Sequence, residues 1–178
     1  MYEITAQAIG FIGMALCIGC FQFKSSRMLV LCQMMGNFLY VIHYLMLGAY
    51  SGCVSMLLVA VNNAILSAKS TPWTRWTGWK WIISVLFAAA CIGTWQDIFS
   101  ILPCVASIIM VLTNWTFNGK YIRFGKLFAV GPGWVIYNIH ILSWSGILCE
   151  LIGMMSAGVS FVRYGVKQLD HTEGPHRD

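Results

Sequence analysis

At 178 residues, 58% of them hydrophobic and only 10% charged, and with a mean hydropathy of +0.72, the chain carries more apolar surface than a soluble domain can bury. Its net charge of +5 would suit an acidic partner in a soluble protein. Here the eleven Lys and Arg residues lie between long apolar stretches and only at alternate junctions, so membrane topology explains them without nucleic-acid binding.

The first predicted span covers residues 5–22. It follows Met1-Tyr2-Glu3 rather than a basic segment and has no small-residue cleavage site, so it reads as a retained helix and not a signal peptide. Ala6, Gly10, Gly13 and Cys17 draw a small-residue stripe suited to close helix packing. Lys24 and Arg27 mark its cytoplasmic end. The second span, 28–47, carries Gln33, Asn37, Tyr40 and Tyr44 at intervals of three and four, a polar stripe expected to line a cavity or a tight interface. His43 lies near its outer end. A very short outer turn, 48–52, makes the third span, 52–68, an antiparallel neighbour; Asn62 and Asn63 lie near its middle.

The longest connection, 70–78, follows Lys69 and carries Arg75 with Trp73 and Trp76. Together with Trp79, Lys80 and Trp81 it reads as an aromatic belt at the inner interface. The fourth span is 79–95 and the fifth 98–117, with a neutral outer junction between them. Lys120, Arg123 and Lys126 mark the next inner junction. The sixth span, 124–142, contains Gly131-Pro132-Gly133, a sequence that weakens the helix ladder and is expected to act as a hinge. Trp134 and Asn138 then share one face, and Tyr137 and His140 an adjacent one. After the turn 143–146, the seventh span, 146–163, bears Glu150, the one acidic residue inside the spans. A carboxylate in hydrocarbon is costly and marks either a functional group or a hydrogen-bonded structural one. Gly146, Gly153 and Ala157 form a second small-residue stripe, and Arg163, Lys167 and Arg177 close the pattern of basic ends.

Seven cysteines are present, but all lie in or at the start of apolar spans and read as packing residues; Cys17 and Cys20 have no second ligand pair, so no metal is assigned. His43 and His140 are read as hydrogen-bonded or titrating groups rather than haem ligands, since nothing else in the spans forms a haem site. No nucleophile, base and ligand set converges, so neither an enzyme nor a cofactor is expected.

An ungapped offset of 94 residues pairs Phe23 with Phe117, Val41 with Val135, Ser51-Gly52 with Ser145-Gly146, and Lys69 with Arg163. It superimposes spans one to three on spans five to seven. The expected fold is therefore an all-α membrane protein of seven transmembrane helices, N-terminus outside and C-terminus cytoplasmic. It forms one transmembrane domain, 1–178, as a 3+1+3 parallel repeat: a three-helix bundle at 5–68, a linker helix at 79–95, a second bundle at 98–163 and a cytoplasmic tail at 164–178.

This arrangement resembles the SWEET and PQ-loop transporter superfamily, with Pro103 and Pro132 resembling prolines that let the helices bend; span one has no proline and the Pro-Gln dipeptide is absent. Sugar transporters of that superfamily place an asparagine in the third helix of each bundle. Here Asn62 and Asn63 have only Ser156 and Ala157 as counterparts. A closer resemblance, to the YgjV-type family of bacterial inner-membrane proteins, is carried by Gln7 with Gly10-Phe11, Phe21, Gln33, His43 with Leu47-Gly48, Gly52, Trp134-Val135-Ile136, Asn138, Glu150 and Arg163. The chain departs from it at Asn63, where an arginine is expected. The resemblances imply a multi-pass protein of the bacterial inner membrane.

The expected activity is transport of a small polar solute by alternating access. The candidate substrate-binding residues are Asn37, Tyr40, His43, Asn62, Asn63, Trp134, Tyr137, Asn138 and Glu150. The partners are the lipid bilayer and that solute; two bundles in one chain close a path without requiring an oligomer. The alternative is a non-transporting scaffold or sensor that binds a lipid or a partner protein. A wet cavity between the bundles favours the first, a dry core with its amides paired to one another the second.

Overall fold

The computed structural model describes residues 2–19, 26–68 and 76–168, and all of its regular structure is helical. In chain order it has α1 (Tyr2–Gly19), α2 (Ser26–Met46), α3 (Tyr50–Ser67), α4 (Trp79–Gly93), a 3-10 turn (Ile98–Ser100) leading into α5 (Ile101–Asn114), α6 (Gly119–Gly125), a π turn (Lys126–Val130), α7 (Gly131–His140) and α8 (Trp144–Gln168). Gly125, Lys126, Val130 and Gly131 all keep right-handed helical angles, so α6, the π turn and α7 form one rod. The described residues thus make seven helical rods. Lys24, Lys69, Arg75, Cys20, Phe21, Phe23, Trp73 and Arg177 lie outside the described residues, as do the side chains of Arg27, Cys32, Gln33 and Lys167.

Trp144–Arg163 is long and apolar enough by itself to cross a membrane. Glu3–Gly19, Tyr50–Leu66, Trp79–Gly93 and Ile98–Asn114 are shorter apolar helices. At 1.5 Å per residue the shorter ones are about 22 to 26 Å long, at or below the thin end of the hydrocarbon range. Gly165 (φ 72°, ψ 154°) breaks α8 near its C-terminal end.

The sixth rod differs from the expected span. It begins at Gly119 rather than near residue 124, because Asn118 caps it, its side chain accepting from the Lys120 N–H at 3.0 Å. Lys120, Arg123 and Lys126 therefore sit on a helix and not in a loop. Gly131-Pro132-Gly133 does not interrupt the rod. Pro132 has no N–H to give to the preceding turn, and the π turn before it widens the ladder at that point. Pro103 likewise stands in the first turn of α5, just after the 3-10 turn, where a missing N–H costs little.

Helix α2 lies between α1 and α3; α8 packs on α7 and α1; α5 meets α4, α7 and α3. Glycine brings α1 and α2 together: a Cβ on Gly13 would stand 3.1 Å from the Gly36 carbonyl, and one on Gly36 would strike Cys17. Two buried clusters result. One joins Tyr40, Tyr44, Ala49, Ala106, Val130, Trp134 and Tyr137; the other joins Val59, Ile65, Ile83, Phe87, Cys104, Val111 and Trp115. Helix α4 turns Trp81, Val85, Leu86 and Ile92 outward. Such a face is unfavourable in water and ordinary in lipid.

Candidate functional site

The first cluster holds most of the predicted polar residues. Turns 47–49 and 141–143 end α2 and α7 in the same way: Gly48 (φ 69°) and Leu142 (φ 56°) are left-handed, Ala49 N–H donates to Tyr44 O at 2.9 Å, and Ser143 N–H to Asn138 O at 2.9 Å. These positions are related by 94 residues, the separation of Tyr44 and Asn138.

Each turn is tied to the opposite half of the chain. Gln7 Nε2 donates to Leu142 O at 2.7 Å, and Gln96 Nε2 to Gly48 O at 2.8 Å. His43 reaches from α2 to Ser143 Oγ at 2.7 Å, while Tyr137 reaches from α7 to Ser51 Oγ at 2.9 Å and accepts from the Gly52 N–H at 3.0 Å. Tyr44 O–H donates to Asn138 Oδ1 at 2.9 Å, and Tyr40 O–H to Ser145 O at 3.2 Å. A Cβ on Gly52 would come within 2.8 Å of the Tyr137 ring, and one on Gly146 within 2.5 Å of Asn138 Oδ1.

The tautomer of His43 follows from its partners. Nδ1 lies 2.7 Å from the Ala6 carbonyl, which only accepts, so Nδ1 carries the proton; Nε2 then accepts from the Ser143 hydroxyl. Both nitrogens are committed and the ring is fully buried, leaving no free position for haem iron. Around it Tyr40, Tyr44, Trp134 and Tyr137 pack as tilted, stacked and edge-on pairs with centroids 5.3 to 6.4 Å apart.

Glu150 has a partner that the sequence reading assigned to topology. Lys126 Nζ donates to Glu150 Oε2 at 2.6 Å, with the two side chains 29% and 14% exposed. Gly153 makes room for the lysine stem, since a Cβ there would lie 2.9 Å from Lys126 Cε. The pair adjoins the aromatic cluster, against which Cys149, next to Glu150 in the chain, is packed. Asn138, fully buried, has its Nδ2 without a hydrogen-bond partner.

A cavity of about 180 Å³ adjoins the first turn, lined by Gly48, Gln96, Asp97, Ser100, Tyr137 and His140 among others. Asp97 Oδ1 caps the 3-10 turn by accepting from the Phe99 and Ser100 N–H groups at 2.9 and 3.1 Å, and Oδ2 meets His140 Nε2 at 2.6 Å. Desolvation acts upward on the Asp97 carboxyl, but the His140 contact and the two backbone N–H groups outweigh it and hold the carboxyl below its ordinary value. His140 stacks on Phe99 at 4.1 Å. Among the described residues no three His, Cys, Asp or Glu side chains gather as a metal site, and Cys53, Cys91, Cys104 and Cys149 are free thiols.

Of the predicted site residues, Tyr40, His43, Trp134, Tyr137, Asn138 and Glu150 come together. Asn37 is buried beside them, with Cys17 Sγ donating to its Oδ1 at 3.7 Å. Asn62 and half-buried Asn63 belong elsewhere: Asn62 Oδ1 accepts from Trp115 Nε1 at 3.1 Å beside the second cluster, and Asn62 Nδ2 faces Asn63 Oδ1 at 3.5 Å. Lys126, Ser51, Ser143, Ser145, Gln7 and Gln96 were not on the candidate list. The offset of 94 would have found Ser51 and Ser145, whose match it already contained.

No curated protein and no solved structure matches the chain. A family model described as bacterial inner membrane protein, Imp-YgjV, matches residues 4–168, so the chain belongs to that family and resides in the bacterial inner membrane.

Proposed function

We propose that the protein carries a small polar solute across the inner membrane, working as two like-oriented three-helix bundles joined by α4, with the N-terminus outside and the C-terminus cytoplasmic. The duplication is supported by the two left-handed turns and their reciprocal ties at a separation of 94 residues. The observation that carries the transport reading is the Lys126–Glu150 pair at 2.6 Å. Two charges held away from water are expensive, and a hydrophobic pair would serve packing as well or better. Their retention on α8 and on the rod that carries Trp134 and Asn138 fits a path for something polar.

The bonds of His43 to Ser143, Tyr44 to Asn138 and Tyr137 to Ser51 tie the two bundles together in this state. Alternating access requires those bonds to part as one bundle rocks on the other. Counterflow in proteoliposomes against a metabolite library tests the proposal. Saturable exchange that Glu150→Gln abolishes is the expected result. Transport is refuted if folded protein moves nothing and Glu150→Gln and Asn138→Ala leave the cell phenotype unchanged.

A non-transporting scaffold or sensor is the second reading. It is favoured by the mutual pairing of buried polar groups, Asn62 with Trp115 and Asn37 with Cys17. In that case crosslinking in cells captures a stable lipid or protein partner, and the counterflow assay stays silent.

A further inference from the structure

We propose that the solute is a zwitterion of amino-acid type, its carboxylate taken by Lys126 and its ammonium by Glu150, which neutralise each other when the site is empty. The inference rests on the transport reading and names its substrate class.

Hydrogen-bond capacity is the first reason. An ammonium has three donors and a carboxylate four accepting positions, yet Lys126 and Glu150 use one each, on each other. Neither side chain is sealed in: they remain 29% and 14% exposed. The second reason lies in how the chain makes room for the lysine. Lys126 opens the π turn, and Gly153 leaves the gap that its stem crosses. Single π turns are frequent at functional sites. A structural ion pair needs neither device, since two shorter side chains on facing helices would meet without them.

The third reason is the buried amide. Asn138 Nδ2 has no partner, and its Oδ1 lies against Gly146, one helical turn from Glu150 on α8. Asn138 is fixed in place by Tyr44, whose O–H donates to its Oδ1 at 2.9 Å. An unfilled donor beside a charge pair fits a ligand that brings its own carboxylate oxygen. A solute with a single charge would leave either Lys126 or Glu150 uncompensated in a low dielectric, whereas a zwitterion exchanges one neutral pair for two.

The test measures thermal stability and counterflow on the full chain in proteoliposomes. Its probes are glycine, L-serine and L-glutamine, set against acetate, ethylamine and glycerol. Zwitterions should stabilise the protein and exchange, with the singly charged and neutral probes at least about tenfold weaker. Lys126→Met with Glu150→Leu should keep the melting temperature and lose the response to zwitterions; Glu150→Gln, read by thermal stabilisation, should erase the preference for glycine over acetate. Retained zwitterion exchange in the double variant overturns the inference, as does an unchanged glycine preference in Glu150→Gln. Exchange of glycerol alone also overturns it while leaving transport intact, and exchange of no probe or library solute removes both.

Discussion

His43 is held by three elements at once: its own helix α2, which also lays Tyr40 and Tyr44 against its ring, α1 through Ala6 O, and the second turn through Ser143 Oγ. Replacing it with alanine leaves the Ser143 hydroxyl and the Ala6 carbonyl without their partner and opens a void. His43→Ala should therefore cost about 2–5 kcal/mol, read as a lower unfolding midpoint in detergent. Asp97 and His140, 41% and 36% exposed, form a contact of a different kind. Asp97→Asn keeps an N-cap and removes the charge, so the loss should be small and reduced by salt. The sign with pH follows from the depressed carboxyl. Its contribution is complete above the ordinary value of 3.8 and fades as pH falls through the lower folded value. Thermal scans of wild type and Asp97→Asn should differ at neutral pH and converge in acid. Tyr40, His43 and Asn138 were legible because polar groups in an apolar helix stand out. Lys126 was not: a lysine near a span end has a ready topological meaning, and its reach to Glu150 depends on packing that no spacing encodes.

At the scale of elements, the two turns make a controlled comparison. Gly48 and Leu142 share a left-handed φ, which glycine adopts freely and leucine does not. Leu142 is exposed, so Leu142→Gly should stabilise the protein by about 1 kcal/mol, while Gly48→Ala should destabilise it by about 1–2 kcal/mol; chemical denaturation of both variants checks the opposite signs. Glycines in the helices divide in the same way. A Cβ on Gly10 would run into Ser145 and His43, but one on Gly158 meets nothing within 4 Å. Gly10→Ala should loosen the contact of α1 with α8, and Gly158→Ala should be neutral or stabilising by up to about 1 kcal/mol. The helices could be read from apolar length, and most of their ends from short turns. The start of the sixth rod was hidden because Lys120, Arg123 and Lys126 look like a loop by charge, although Asn118 is a good helix cap. At Gly131-Pro132-Gly133 the helix is continuous, and the irregularity that this composition favours lies one turn earlier, in the π turn.

At the scale of the molecule, the alternation of basic and neutral junctions predicts orientation. Periplasm-active reporter fusions at residue 95 should be active, and fusions at residue 168 should be active only with a cytoplasmic reporter; the reverse pattern would invert the proposed topology. The internal match at 94 residues could be seen in a few identities, but not what it builds. Identities mark equivalent positions, whereas several of the bonds run between non-equivalent ones, from His43 to Ser143 and from Tyr137 to Ser51. Gln96 completes the first turn through Gly48 O and the Tyr50 N–H, at 2.8 and 3.1 Å. That turn is synthesised well before the glutamine that finishes it. In the proposed topology the first half enters the bilayer with that corner open until Gln96 is made, so a chain stopped after Ala68 should be recognised by membrane quality-control proteases as unfinished.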